Sequence, residues 1–196
     1  MNKASPKMKH LVTPRLLLRP FTKDDLGDLH NLYSNPETMK YISGRPRTFE
    51  ESETALEKMI VNFGRDGYGM YAVIERREKR FIGRCGLQPL EDSGLIELGY
   101  TLLPSFWGKG FATEASIQIL RTAFTDWGLE RIVAIALEQN RASTRVMEKV
   151  GMKFSGPAKF YGKAVVQYDL EKPKISYDSS FEHLSTQSTR LSIPQL

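Results

Sequence analysis

A single cysteine, Cys85, stands in a chain of 196 residues, which rules out a disulfide within the chain and fits a reducing cytosol. Histidine is also sparse. His10, His30 and His183 lie far apart with no ligand spacing, so a bound metal has no support. No apolar run approaches the length of a membrane span, and the opening residues Met1 to Lys7 carry no apolar signal segment. The expectation is a cytoplasmic protein with no membrane partner. Lys and Arg outnumber Asp and Glu by 28 to 23, but the basic residues are scattered. An aromatic-interleaved basic stripe is missing, so nucleic acid is not an indicated partner. What the charge of +5 does suggest is a modest preference for anionic ligands.

A hydrophobic content of 40% and this length fit one domain with a sizeable core. The pattern predicts a mixed α/β order. Residues 11–21 read as a strand. Thr22 to Asp25 form a capping-box-like start with Asp in place of Glu, followed by Leu26, Leu29 and Leu32 at helical spacing. Asn35-Pro36 stops that helix. Thr48 then caps a second helix with Glu51, and Leu56, Met59, Ile60 and Phe63 give it an apolar stripe. Gly64 to Gly69 spells GxxGxG after a helix and before a strand, the wrong spacing and order for a dinucleotide site, and reads as a loop. Strands are expected at 70–75, 81–87, 96–103 and 131–137, and a helix at 112–127 ended by Gly128. Asn140 caps a short helix, and 153–158 with 165–170 form a final hairpin around Tyr161 to Lys163. Residues 1–10 are expected to be flexible and 11–170 to form the domain. The Ser/Thr-rich tail, 171–196, has too few apolar positions for a core of its own. Within it Phe181 and Leu184 are candidates for an apolar anchor on the domain or on a second copy in a homodimer.

The most informative stretch is Ile96 to Ala115. It reads as a strand, a glycine-punctuated turn and the first turn of a helix. Gly108 and Gly110 let backbone N–H groups approach a ligand, and the helix that follows directs its own unpaired N–H groups, those of Phe111, Ala112 and Thr113, at the same point. Lys109 and Thr113 are compatible with phosphate oxygens. The alternative is a plain tight turn, which two glycines alone would favour; the neighbouring residues shift the reading toward a phosphate site. Strand alternation puts Glu97, Gly99, Thr101 and Leu103 on one side. A carboxylate in an otherwise apolar strand is costly unless solvated, paired or used in chemistry. Cys85 lies in a strand and reads as core.

The run Trp107-Gly108-Lys109-Gly110-Phe111-Ala112-Thr113-Glu114-Ala115, followed by Asn140, Ser143 and Glu148 to Phe154, resembles the GNAT N-acetyltransferases. With Thr13 to Phe21 and Asp24-Asp25 it is similar to their RimJ/RimL-like branch, over residues 10–170. The resemblance implies a GNAT fold: a mostly antiparallel central sheet, splayed at a V-shaped cleft between the 96–103 and 131–137 strands, with helices on both faces. It also implies acetyl-CoA as acetyl donor, no metal, and an amine acceptor, either a protein N-terminus or a small molecule. Gly99, Leu102 and Leu103 would then offer backbone groups to pantetheine, freed by a bulge near the strand's end. Residues Gly108 to Thr113 would hold the diphosphate.

Under that resemblance, Glu97 is a candidate base and Ser143 a candidate acid toward the leaving thiolate. Asn140 bonds pantetheine, caps its helix, or does both. Ser143 has the same alternative of a local capping role. Many GNAT enzymes place a tyrosine further along this helix, where this chain has Val146-Met147. Tyr41, Phe106, Trp107 and Tyr161 are candidates for the acceptor pocket. Lys159 and Lys163 occupy the hairpin where relatives place acidic groups, which weighs against a polyamine-like acceptor. The competing function is a GNAT-fold acyl-CoA sensor or interaction protein without turnover.

Overall fold

The switches between period-two and period-3.6 apolar patterning become alternating strands and helices in a computed structural model that describes residues 9–173. In chain order these are β1 (Leu11–Val12), β2 (Leu16–Pro20), α1 (Leu26–Ser34), α2 (Pro36–Met39), α3 (Phe49–Asp66), β3 (Met70–Glu75), β4 (Arg80–Pro89) and β5 (Ile96–Leu102). There follow α4 (Phe111–Thr125), β6 (Arg131–Ala136), α5 (Arg141–Lys149), β7 (Lys153–Phe160) and β8 (Lys163–Glu171). Phe181, Leu184 and most of the tail lie outside the described residues.

Local chemistry explains where the observed boundaries depart from the expected ones. Residues 11–21 form two strands, not one. The Thr13 N–H donates to the Leu16 carbonyl at 2.9 Å and Thr13 Oγ1 accepts from the Leu16 N–H at 2.9 Å, closing a turn around Pro14. Pro36 ends α1 but also starts α2 as its first residue, with the Asn35 side chain accepting from the Thr38 N–H at 3.0 Å. The GxxGxG stretch is helical through Asp66. Gly67, at φ 75°, stops α3 by donating its N–H to Phe63. Thr48 and Glu51 make the expected capping box.

All eight strands join one sheet in the order β1-β2-β3-β4-β5-β6-β8-β7. Every pairing is antiparallel except β5 with β6. Helices cover both faces, so β3 is a continuous apolar run. Tyr71 and Val73 pack in the cluster with Ile119, Phe124 and Met147 of α4 and α5. Met70 and Ala72 pack with Leu29, Leu32 and Leu56 of α1 and α3. Each such large side chain contributes about 1.5–3 kcal/mol on burial. Cys85 belongs to the first cluster and is fully buried, which pushes its thiol up to about 12. It is inert core.

The parallel strands β5 and β6 share one register position, Glu97 opposite Val133. The sheet opens there into the cleft that the sequence resemblance implies. The opening does not come from a bulge in β5, as the sequence suggested. Its ladder with β4 runs without a shift from Gly83↔Leu102 to Pro89↔Ile96. The backbone groups along the cleft are freed by divergence of the two strands.

Candidate functional site

A cavity of about 760 Å³ occupies the splay and the space beneath α1 and α3. Glu97, Gly99 and Thr101 line it from β5, Ser143 from α5 and Asn140 from the cap that starts it, and Tyr41 and Tyr161 from the flanking loops. Alternation along β5 puts Glu97, Gly99 and Thr101 on the face that looks toward α1 and α3.

Glu97 is only 7% exposed. Its register partner on β4, Gln88, donates from Nε2 to Glu97 Oε2 at 2.9 Å. The Tyr161 hydroxyl donates to the same oxygen at 3.3 Å. Neither an ion pair nor free solvation accounts for this carboxylate. Burial raises its pKa above the usual carboxylate value, opposed by the Gln88 bond, the nearby Arg84 charge and the Tyr161 bond. Tyr161 is pushed up to about 12 by burial and by the adjacent Glu97. A buried carboxylate with a raised pKa and two neutral donors is equipped to exchange a proton.

Across the cleft the Asn140 side chain accepts from the Ser143 N–H at 3.2 Å and so caps α5. Ser143 Oγ lies 3.0 Å from the Tyr100 hydroxyl, which also donates to the Ser143 carbonyl at 2.8 Å. Burial keeps the Tyr100 phenol protonated well beyond neutral pH. A tyrosine thus does reach this region, from strand β5 and not from the helix.

The cradle begins with Gly108 and Gly110 in the left-handed region, at φ 72° and 79°, a conformation in which a side chain is strained. Gly110 is the N-cap of α4, so the amides of Phe111, Ala112 and Thr113 have no carbonyl of their own helix to bond. Arg15 holds this loop in place. It donates from Nε to Glu114 Oε2 at 2.6 Å and from Nη1 to the Lys109 carbonyl at 2.9 Å, and lies 4.4 Å over the Phe111 ring. Thr13 adds a bond to Glu114 at 2.6 Å. The acidic residue of the first turn is thereby engaged, leaving the helix end suited to an anion. Together with the open edge of β5, this arrangement fits an extended ligand carrying phosphates.

The remaining predicted residues fall in two places. Tyr41 and Tyr161 share the cavity with Glu97. Phe106 and Trp107 do not. Phe106 packs on Phe111 with Lys109 Nζ 5.5 Å from its ring, and Trp107 donates to the Leu102 carbonyl at 2.7 Å while 48% exposed. The Leu103 N–H donates to Ile82 at 2.9 Å. Three of the residues now in view, Gln88, Tyr100 and Arg15, carried no local signal. Only the β4–β5 register identifies Gln88, and only the packing of α5 on β5 identifies Tyr100.

The Acetyltransferase (GNAT) domain profile matches residues 15–153. The chain is 31% identical over 159 residues to p20, an uncharacterised N-acetyltransferase of Bacillus licheniformis, covering 80% of this chain and 89% of p20. A GNAT-family acetyltransferase from Bacillus anthracis has a similar structure, with a TM-score of 0.72 at 26% identity over 84% of this chain and 99% of that one. RimL, a ribosomal L7/L12 α-N-protein acetyltransferase solved with coenzyme A, shares the fold at a TM-score of 0.72 and 20% identity, over 83% of this chain and 98% of its own.

Proposed function

The chain belongs to the GNAT acetyltransferases, which take their acetyl group from acetyl-CoA, and from that premise we propose that it acetylates a primary amine held in the cavity beside Glu97. The observation that carries this reading is the buried, doubly hydrogen-bonded Glu97 at the point where β5 and β6 part.

In this reading the amides of residues Phe111 to Thr113, with Gly108, Lys109 and Gly110, hold the diphosphate. The open β5 edge between Gly99 and Leu102, with Asn140, aligns the pantetheine arm; Leu103 offers it nothing, because its N–H is held by Ile82 and its carbonyl by the Phe106 N–H. Acetyl-CoA supplies the activated acetyl thioester when bound. Glu97 takes the proton of the incoming amine, directly or through water, as its nitrogen bonds to the carbonyl carbon. Ser143 gives its hydroxyl proton to the departing sulfur as the carbon–sulfur bond breaks, Tyr100 replaces that proton, and solvent returns one to Tyr100 as Glu97 releases the proton it took.

The test is thiol release from acetyl-CoA in the presence of an amine panel that includes small amines and N-terminal peptides. Release with at least one amine is expected. Protein that binds acetyl-CoA but releases no thiol with any of them would overturn the catalytic reading.

A further inference from the structure

Resting on the acetyl-transfer reading, we propose that Arg47 and Arg84 form an anion subsite in the acceptor half of the cavity, so that the acceptor is a small amine bearing a carboxylate or phosphate.

Both residues line the same cavity as Glu97. Their guanidiniums converge on one ring. Arg47 lies 4.5 Å and Arg84 5.5 Å from the centroid of Tyr33, which is itself 1% exposed. The backbone fixes both positions. The Arg47 N–H donates to the Tyr33 carbonyl at 2.9 Å, and Arg84 sits in the β4 ladder opposite Thr101. Arg84 and Gln88 are four residues apart on β4, hence on one face, about 13 Å along the strand. The Arg84 charge reaches far enough to oppose the rise that burial imposes on the Glu97 pKa.

Neither guanidinium has a carboxylate partner among the described residues, and Arg84 Nε is buried without a hydrogen-bond partner. The carboxylate that feels the Arg47 charge, Glu51, is already held by both nitrogens of Arg45. Asp66 is paired with Arg65 at 2.7 Å, and the Lys163 ammonium donates to the Ile42 carbonyl at 2.6 Å. Glu91 and Asp92 are solvent-exposed. Two half-buried, unpaired cations in one wall repel each other, and an anion between them offsets that cost. The planar forks of arginine match carboxylate and phosphate oxygens. A cationic polyamine meets repulsion there.

The experiment compares matched acceptors by kcat/KM: glycine, β-alanine and 6-aminohexanoate against their carboxamides, phosphoethanolamine against ethanolamine, and spermidine. At least one anionic amine is expected to exceed its uncharged match by about tenfold or more. The carboxylate and phosphate arms tell which anion is preferred. Arg47→Met and Arg84→Met are expected to erase that preference by raising KM for the anionic amine, and Arg84→Lys to restore part of it. Acetyl-CoA binding, measured alongside, identifies any variant that fails to fold. Preference for an uncharged amine or for spermidine overturns the subsite while leaving acetyl transfer standing. So does an unchanged preference in both folded methionine variants. Turnover of no amine at all overturns both.

Discussion

The Tyr100 hydroxyl and Ser143 Oγ stand 3.0 Å apart across the cleft, one carried by β5 and the other by α5. This contact links the two sides of the opening, and it gives the serine a protonated neighbour from which to draw.

Ser143→Ala is therefore expected to lower kcat by about a hundredfold, at the lower end for general acid–base catalysis, with little change in KM for acetyl-CoA. Tyr100→Phe should have a smaller effect in the same direction. The double variant should match Ser143→Ala alone, because both residues act through one proton. Additive losses in steady-state kinetics would separate them.

Gln88 and Glu97 give a prediction in pH. Glu97 works as a base only when ionised, and burial places its titration above the ordinary carboxylate value. The acidic limb of kcat/KM should thus lie higher than an exposed carboxylate would put it. Gln88→Leu removes a donor to the ionised form, so the limb should move to still higher pH. Glu97→Gln should abolish the limb and lower the rate by about 10²–10⁴-fold while acetyl-CoA affinity is kept. A non-catalytic sensor would show no rate to lose. A raised folded-state pKa means that the ionised carboxylate destabilises the fold above that pKa. Glu97→Gln should accordingly melt higher than wild type at neutral pH, and the difference should close as the pH falls.

Arg15 touches no proposed reacting atom, yet it ties the cradle loop through Glu114, Lys109 and Phe111. Arg15→Met should raise the acetyl-CoA dissociation constant about threefold to tenfold, the equivalent of one ordinary hydrogen bond of about 1 kcal/mol, because the loop keeps its other contacts. The melting temperature should change little, because the side chain is nearly half exposed. Calorimetric titration with acetyl-CoA checks the first part and a thermal melt the second.

Asp25 tests stability away from the site. Burial alone would raise its pKa, but two hydrogen bonds from Arg19, at 2.7 and 2.6 Å, and one from the Thr22 N–H at 2.8 Å hold it below the usual value. Its stabilisation is present above the unfolded pKa of about 3.9 and is lost as the pH falls through the lower folded value. Asp25→Asn should cost about 2 kcal/mol at pH 7. Denaturant melts should show the gap from wild type closing in acid.

Much of this site could be read locally. Glu97 was conspicuous because a carboxylate interrupts an apolar strand, and Asn140 and Thr48 because caps have fixed offsets from the helices they start. The two cradle glycines were visible for the same reason, since a left-handed turn requires them. What could not be read depends on partners distant in sequence. Gln88 matters because the ladder sets it opposite Glu97, and Arg15 because β2 passes beside a helix 99 residues further along. Phe106 and Trp107 show the converse. Their aromatic character suggested a pocket, but their neighbours make them supports for the turn after β5. The interruption of 11–21 went unseen because Thr13 and Arg15 suit a strand as well as the turn that Pro14 imposes.

The single rung between Glu97 and Val133 also bears on where the sheet keeps its unpaired backbone. Past that rung, β5 and β6 each present a row of backbone groups with no strand opposite. On the outer rim of a sheet such rows would template the addition of another molecule's strand. Here they face each other inside the fold, between α4 on one side and α3 on the other. A slender extended guest can reach them, while the edge of a folded neighbour is kept out by the helices. The same opening that admits a ligand therefore keeps a self-association hazard away from the protein's surface.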